Sequence, residues 1–267
     1  MNIRYVTLDP TGNITCLVPC PVPKALRSRV TAALMERCEQ VGYLTEPSLL
    51  GARARLEMMG GEFCGNAAMA AAAYLCRRDG SERETAVPLE VSGAEGIVRC
   101  TARPIGEDVF LGTAEMPRIL EIRDTVVGKY PAALVRMEGI AHLIVKDVPV
   151  PEEQAGALLK EAAVKTEEAA AGLLLWDSEK MYMRPLVYVK ASGTLVWETG
   201  CGSGSTAVGA YLALARGDGV TRSEIRQGGG VIVTEAEVRS GRVASVRISG
   251  RVRVGSEETT SIGDEKE

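Results

Sequence analysis

The sequence predicts an α+β protein of two similar halves, and three observations carry that prediction. The chain repeats itself. Each copy of the repeat opens on Cys-Gly and runs on as a small-residue helix. Each is followed by alternating apolar segments interrupted at glycines.

The repeat comes first. Cys64 begins CGNAAMAAAAYLCRRDG and Cys201 begins CGSGSTAVGAYLALARG; aligned without a gap, they agree at seven of seventeen positions, a cysteine and a tyrosine among them. LEVSGAEGIVRC after the first copy and IRQGGGVIVTEA after the second each read as strand, glycine turn, strand. DVFLGTAEM and VASVRISGRVRV then add an alternating segment to each half. An Ala-rich helix has high propensity and packs closely on every side, which suits a helix wrapped by a sheet. An amphipathic helix is expected near Pro23 to Val41, with Leu26, Val30, Leu34 and Cys38 at helical spacing, and another from Pro151 to Ala163. The boundaries read as 1–116 for the first half and 117–255 for the second, with a polar tail over 256–267.

Composition narrows the function. Of 267 residues, 46% are hydrophobic and 25% charged, the balance of a soluble globular protein. A net charge of −4, no cluster of Lys and Arg, and 4% aromatics argue against a nucleic-acid partner. No apolar run approaches the roughly 20 residues of a membrane span, and MNIRYVTLDPTGN lacks the apolar segment of a signal peptide. A cytoplasmic protein with reduced thiols is expected. The seven cysteines are irregularly spaced, no CxxC occurs and His142 is the only histidine, so neither a disulfide framework nor a metal site is expected.

What distinguishes Cys64 and Cys201 is their place at two helix starts. Unpaired N–H groups and the helix dipole favour negative charge there, which would lower a thiol pKa and make the thiolate a usable base. The N–H groups of Gly65-Asn66 and of Gly202-Ser203 can hold a carboxylate, and glycine admits close approach of the backbone. Two such starts, related by a pseudo-twofold axis, would place a sulfur on each face of an amino-acid Cα. One thiolate removes the α-proton and the opposite thiol returns one, with no cofactor required; the bound carboxylate is also where enolate-like charge develops. The bland alternative is a pair of structural cysteines inherited by duplication. A P-loop is disfavoured because CGSGST lacks its lysine, and QGGG (Gln227 to Gly230) reads as a strand-connecting turn.

These residues resemble the diaminopimelate epimerase and proline racemase superfamily, whose hallmarks stand here as FCGNAA (Phe63 to Ala68) and GCGSGST (Gly200 to Thr206). The opening YVTLDPTGNITCLV is similar to the epimerase start and puts Asn13 where an Asn contacts substrate; MEGIAHLIV matches His142 to the family histidine. The resemblance implies two pseudo-symmetric domains, each an antiparallel sheet curled around a central helix, with Cys64 and Cys201 catalytic. The departures disfavour diaminopimelate as substrate: no ERG precedes Cys201, Ile140 replaces the Asn of the epimerase GNPH segment, and the epimerase Asn before the first Cys is missing from RLEMMGGEFC, where Glu57 sits nearest. RLEMMGGEFCGN is instead similar to the histidine racemases of opine-metallophore pathways.

Beyond the cysteines, Asn13, Gly65, Asn66, Glu198, Gly202 and Ser203 are the substrate-binding candidates. Glu198 is a candidate for the substrate ammonium, with a structural charge near a helix start as its alternative. Glu57 and Glu62 are either acceptors for a polar substrate side chain or solvated charges. Trp197 and Tyr188 either line a pocket or belong to a strand core, and Asn13 is equally a turn residue. The expected partner is a small-molecule amino-acid substrate, and a homodimer is compatible with the sequence. A phenazine-biosynthesis-like isomerase and a non-catalytic carboxylate binder are the rival readings.

Overall fold

A computed structural model of the chain describes residues 1–262. Its internal contacts group into two units: Met1–Ala114 with the segment from Ser249 onward, and Glu115–Ile248. The architecture is mixed α+β and dominated by strands, with four α-helices among the described residues. None of these helices is long and apolar enough to cross a membrane.

The first unit runs β1 (Asn2–Pro10), β2 (Thr15–Val18), α1 (Lys24–Leu34), β3 (Gln40–Thr45) and β4 (Ala54–Met58). It continues through α2 (Gly65–Arg78), the short β5 (Thr85–Ala86), β6 (Leu89–Val91), β7 (Ile97–Val98), β8 (Cys100–Gly106) and β9 (Val109–Glu115). β1 and β2 pair antiparallel; α1 then crosses over so that β3 lies parallel to β2, and α2 does the same between β4 and β6. Residues Gly65 to Cys76 of α2 are all buried, so the helix has no solvent face over its first three turns. A run of alanines allows this, because small side chains let strands approach from several directions; α2 packs on β8, β1, β2 and β6.

The helix expected near Pro23 to Val41 is shorter than the periodicity implied, ending at Leu34. Just beyond it the N–H groups of Glu39 and Gln40 donate to the Ile14 carbonyl, and Val41 to Thr45 continue as strand beside β2. Cross-strand capture of β-branched and aromatic residues overrides a helical pattern that Cys38 extends only nominally. Its thiol still donates to the Leu34 carbonyl at 3.3 Å.

The second unit runs β10 (Ile119–Val127), β11 (Tyr130–Met137), β12 (Ile140–Lys146), α3 (Glu152–Ala163), β13 (Ala170–Asp177), β14 (Tyr182–Val189) and β15 (Thr194–Trp197). α4 (Gly202–Arg216), β16 (Gly219–Gln227) and β17 (Gly230–Arg239) follow. The helix expected from Pro151 to Ala163 is α3, the crossover between the parallel strands β12 and β13. α4 packs on β16, β17, β11 and β12, and Val135, Ile144, Leu174, Trp176, Met183, Val208 and Ile225 form a core that includes Cys201.

β18 (Arg242–Ser261) begins in this unit and returns the chain to the first, where Val252 to Ser261 pair antiparallel with β1. Residues 256–261, read from the sequence as polar tail, are therefore strand. Asn2↔Ser261 to Val6↔Glu257 continue the ladder, and the Tyr5 hydroxyl donates to Glu258 at 2.8 Å. Residues 263–267 of that tail lie outside the described residues.

Candidate active site

Both cysteines singled out in the sequence are helix N-caps. Cys64 (φ −133°, ψ 110°) precedes α2, and its Sγ accepts the Ala67 N–H at 3.4 Å. Cys201 (φ −121°, ψ 107°) precedes α4, and its Sγ accepts the Gly204 N–H at 3.3 Å. Extended backbone at the cap turns each sulfur back toward the open N–H groups of the first turn, as a capping serine does with its oxygen. Gly65, Asn66 and Gly202 are buried at these starts and Ser203 is half-buried.

The surroundings of the two thiols differ. Cys64 is half-buried, whereas Cys201 is 3% exposed. The sequence led us to expect a lowered pKa at each helix start; at Cys201 the opposite holds. Burial pushes the thiol well up, and the Glu198 charge and its hydrogen bond to the thiol push in the same direction, against weaker opposition from Ser203 and the Gly204 N–H. Desolvation of a thiolate outweighs one or two N–H donors. Glu198 is thus brought to the Cys201 sulfur, before the cap of α4 and outside the helix.

Ser203 connects Cys201 to His142. The Ser203 Oγ is 3.5 Å from Cys201 Sγ and 3.0 Å from His142 Nε2. His142 lies on β12, fully buried, and burial alone pushes its pKa down to about 3, so its imidazole is neutral. Its Nδ1 has no hydrogen-bond partner among the described residues. That face of the ring lies against Gly172, the register partner of His142 on β13, where a Cβ would come within 2.2 Å of Nδ1. Gly204 is similarly confined: a Cβ there would sit 3.1 Å from Cys201 Sγ and 3.0 Å from Leu174.

Among the other candidates, Asn13, Glu57, Trp197 and Tyr188 have structural partners. Asn13 is buried behind the Thr11-Gly12 turn, where Thr11 and Gly12 have φ of 59° and 86°; its amide donates to Glu39 at 2.8 Å and accepts from Gln40 at 2.6 Å. Glu57 is clamped between Arg27 and Arg55. Burial works against its carboxylate, but the hydrogen bond and charge of Arg27, with Arg55, prevail and hold its pKa below the ordinary carboxylate value. Glu62 is exposed. Trp197 stacks under Arg184 at 4.6 Å, and Tyr188 packs against the core beneath α3. Sequence reasoning passed over Gly172 and the hydrogen-bonding role of Gln227; a glutamine closing an alternating strand ahead of three glycines is the only trace of the latter.

The model of the histidine racemase CntK N-terminal domain matches residues 2–260 of this chain. A histidine racemase of Fusobacterium nucleatum subsp. nucleatum is 31% identical over 267 aligned positions, covering 95% of this chain and 97% of the relative. Among solved structures, a hydroxyproline epimerase from Agrobacterium vitis with bound trans-4-hydroxy-L-proline superposes with a TM-score of 0.68 at 17% identity, covering 98% of this chain and 93% of that one. A phenazine biosynthesis protein of the PhzF family from Bacillus anthracis gives 0.72 at 16% identity, covering 98% and 100%. At these identities the solved structures establish a shared fold, while the sequence matches establish the lineage. The chain belongs to the histidine racemase family.

Proposed function

We propose that this isomerase racemises free histidine by a two-base mechanism in which Cys64 and Cys201 exchange the α-proton. Histidine as substrate is suggested by the relatives, which are histidine racemases. The two-base chemistry rests on one observation: two thiols, each the N-cap of a buried helix and each accepting the N–H three residues on.

The substrate carboxylate binds at first-turn N–H groups, where positive partial charge also stabilises the enolate that forms as Cα is deprotonated. Burial and Glu198 favour the protonated form of Cys201, so a turnover that starts from that form uses Cys64 as the base, and the roles exchange for the opposite enantiomer. Its thiolate takes the α-proton while Cys201 gives one to the opposite face, and the centre inverts. One C–H bond breaks and one forms, so the protons balance between the two sulfurs. The new Cys201 thiolate is met by the Ser203 hydroxyl, whose oxygen is held by His142. Since Nδ1 lacks a partner and faces Gly172, the proton of the neutral imidazole belongs on Nε2: a bare buried nitrogen costs less than an unmade N–H bond. Nε2–H then donates to Ser203, leaving the hydroxyl proton for sulfur.

We further infer that the two halves are structural repeats. In support, each has a Cys-capped helix followed by a strand pair joined at glycine. The backbone N–H groups of Asn66 and Ser203 are the ones we assign to carboxylate contact.

The test is incubation of L-histidine with enzyme in D2O. Deuterium at Cα of the D-histidine formed, and near-complete loss of racemisation in both Cys64→Ser and Cys201→Ser with circular dichroism unchanged, are expected. Full turnover by either variant would falsify the two-base reading.

A further inference from the structure

The QGGG turn joining β16 to β17 does more than reverse the chain. Gln227, the last residue of β16, is 5% exposed. Its Oε1 accepts the Cys201 N–H at 2.6 Å, and its Nε2 donates to Ser205 Oγ at 2.8 Å. That hydroxyl donates in turn to the Cys201 carbonyl at 2.8 Å. One side-chain amide, with one serine, thereby holds both peptide groups that flank the Cys201 Cα. The same turn grips the residues just before: Gly229 N–H donates to the Thr199 carbonyl at 2.7 Å, and Gly228 lies against Thr199 closely enough for a Cβ to be in contact.

We infer that Gln227, acting through Ser205, is a positioning residue that fixes the Cys201 thiol for proton transfer; the inference deepens the racemase reading and rests on it. Holding the N–H and the C=O of one residue fixes its φ and ψ together, and these set the direction of the Cα–Cβ bond. The sulfur of an N-cap residue has only χ1 left, and the Gly204 N–H selects that. A carboxamide is suited to this task because it accepts and donates at once while adding no charge beside a group that must ionise. A glutamate would keep the acceptor, lose the donor and oppose the thiolate. The chain of amide, hydroxyl and carbonyl is buried, where hydrogen bonds strengthen one another.

The first unit braces its cysteine differently. Ser92 Oγ donates to the Glu62 carbonyl at 2.8 Å and accepts the Met58 N–H at 2.9 Å, and Gly93 (φ +71°) lies so close that a Cβ would be 2.3 Å from Phe63 N. The turn between β6 and β7 therefore supports the approach to Cys64, while the turn between β16 and β17 holds Cys201 itself.

The experiment compares Gln227→Met, Ser205→Ala and the double variant. Released from the clamp, Cys201 loses alignment, and kcat for L-histidine falls by about tenfold to a hundredfold with KM changed far less. The double variant loses no more than the worse single one, since the two residues act as a unit. A second readout does not depend on turnover: iodoacetamide labels Cys201, followed by mass spectrometry, several-fold faster in Gln227→Met, with Cys64 labelled as before. Ser205→Ala, a small change, keeps the test standing if the methionine variant folds poorly. Wild-type labelling at Cys201, or losses that multiply in the double variant, overturns the clamp. A wild-type chain that racemises nothing overturns the functional reading alone, and the labelling comparison still judges the clamp.

Discussion

His142 Nε2 lies 3.0 Å from the Oγ of Ser203, and the same oxygen is 3.5 Å from the sulfur of Cys201. A single hydroxyl thus stands between a neutral, buried imidazole and the thiol proposed to exchange the α-proton. Ser203 has one hydrogen to give, and the ring nitrogen decides where it goes. Ser203→Ala should lower kcat by about tenfold to a hundredfold, the worth of one hydrogen bond to a charged group, while Ser203→Thr retains most activity. Steady-state racemisation followed by polarimetry measures both. An alanine variant with unchanged kcat would remove Ser203 from the proposed proton path.

Gly172 makes room for that ring. With a Cβ only 2.2 Å from His142 Nδ1, Gly172→Ala must displace the imidazole or open the β12–β13 ladder. The expected cost is about 1–3 kcal/mol of stability, as for overpacking elsewhere in cores. Combining it with His142→Asn removes the ring that the methyl strikes, so the double variant should be more stable than the sum of the single changes implies. Urea unfolding of the four proteins tests this, and strict additivity would show that alanine fits without touching His142.

Much of this arrangement was legible in the sequence because it is written in local patterns. The repeated Cys-Gly starts, the alanine run of α2 and the strand alternation of β16 and β17 each follow from short-range chemistry. The helical pattern outruns α1 because it continues into residues that β2 captures from across the sheet. The raised Cys201 pKa is hidden from the sequence for a related reason: a helix start shows there, but the burial contributed by Leu174, Met183 and Ile225 does not. Glu57 shows the same limit. Its two arginines, Arg27 and Arg55, arrive from α1 and from its own strand, and only the fold reveals the three together.

Glu198 should set the pH at which Cys201 ionises. After burial, its charge and its hydrogen bond are the leading causes of the raised thiol pKa. Glu198→Gln keeps the shape and removes the charge, so the thiol pKa should fall toward its ordinary value. The pH dependence of Cys201 alkylation, read in a Cys64→Ser background, should then have its midpoint at lower pH than with Glu198 present. A midpoint that stays put or rises would mean that the carboxylate does not bear on the sulfur.

His142 also ties stability to pH. Burial lowers its folded pKa from 6.5 to about 3, so between those values the unfolded chain binds a proton that the folded chain refuses. Stability is therefore complete above about pH 6.5 and declines as pH falls through the window toward 3. Asp147 and Asp218, also lowered in the fold, add acid sensitivity of their own, but they are common to wild type and variant. Between pH 7 and 4.5 the wild type should lose about 2 kcal/mol more than His142→Asn, measured by urea unfolding at both pH values. An equal loss in the two proteins would mean that the folded imidazole takes up the proton. A charged ring would donate from both nitrogens, and the neutral tautomer proposed to direct the Ser203 proton toward Cys201 would have to be abandoned.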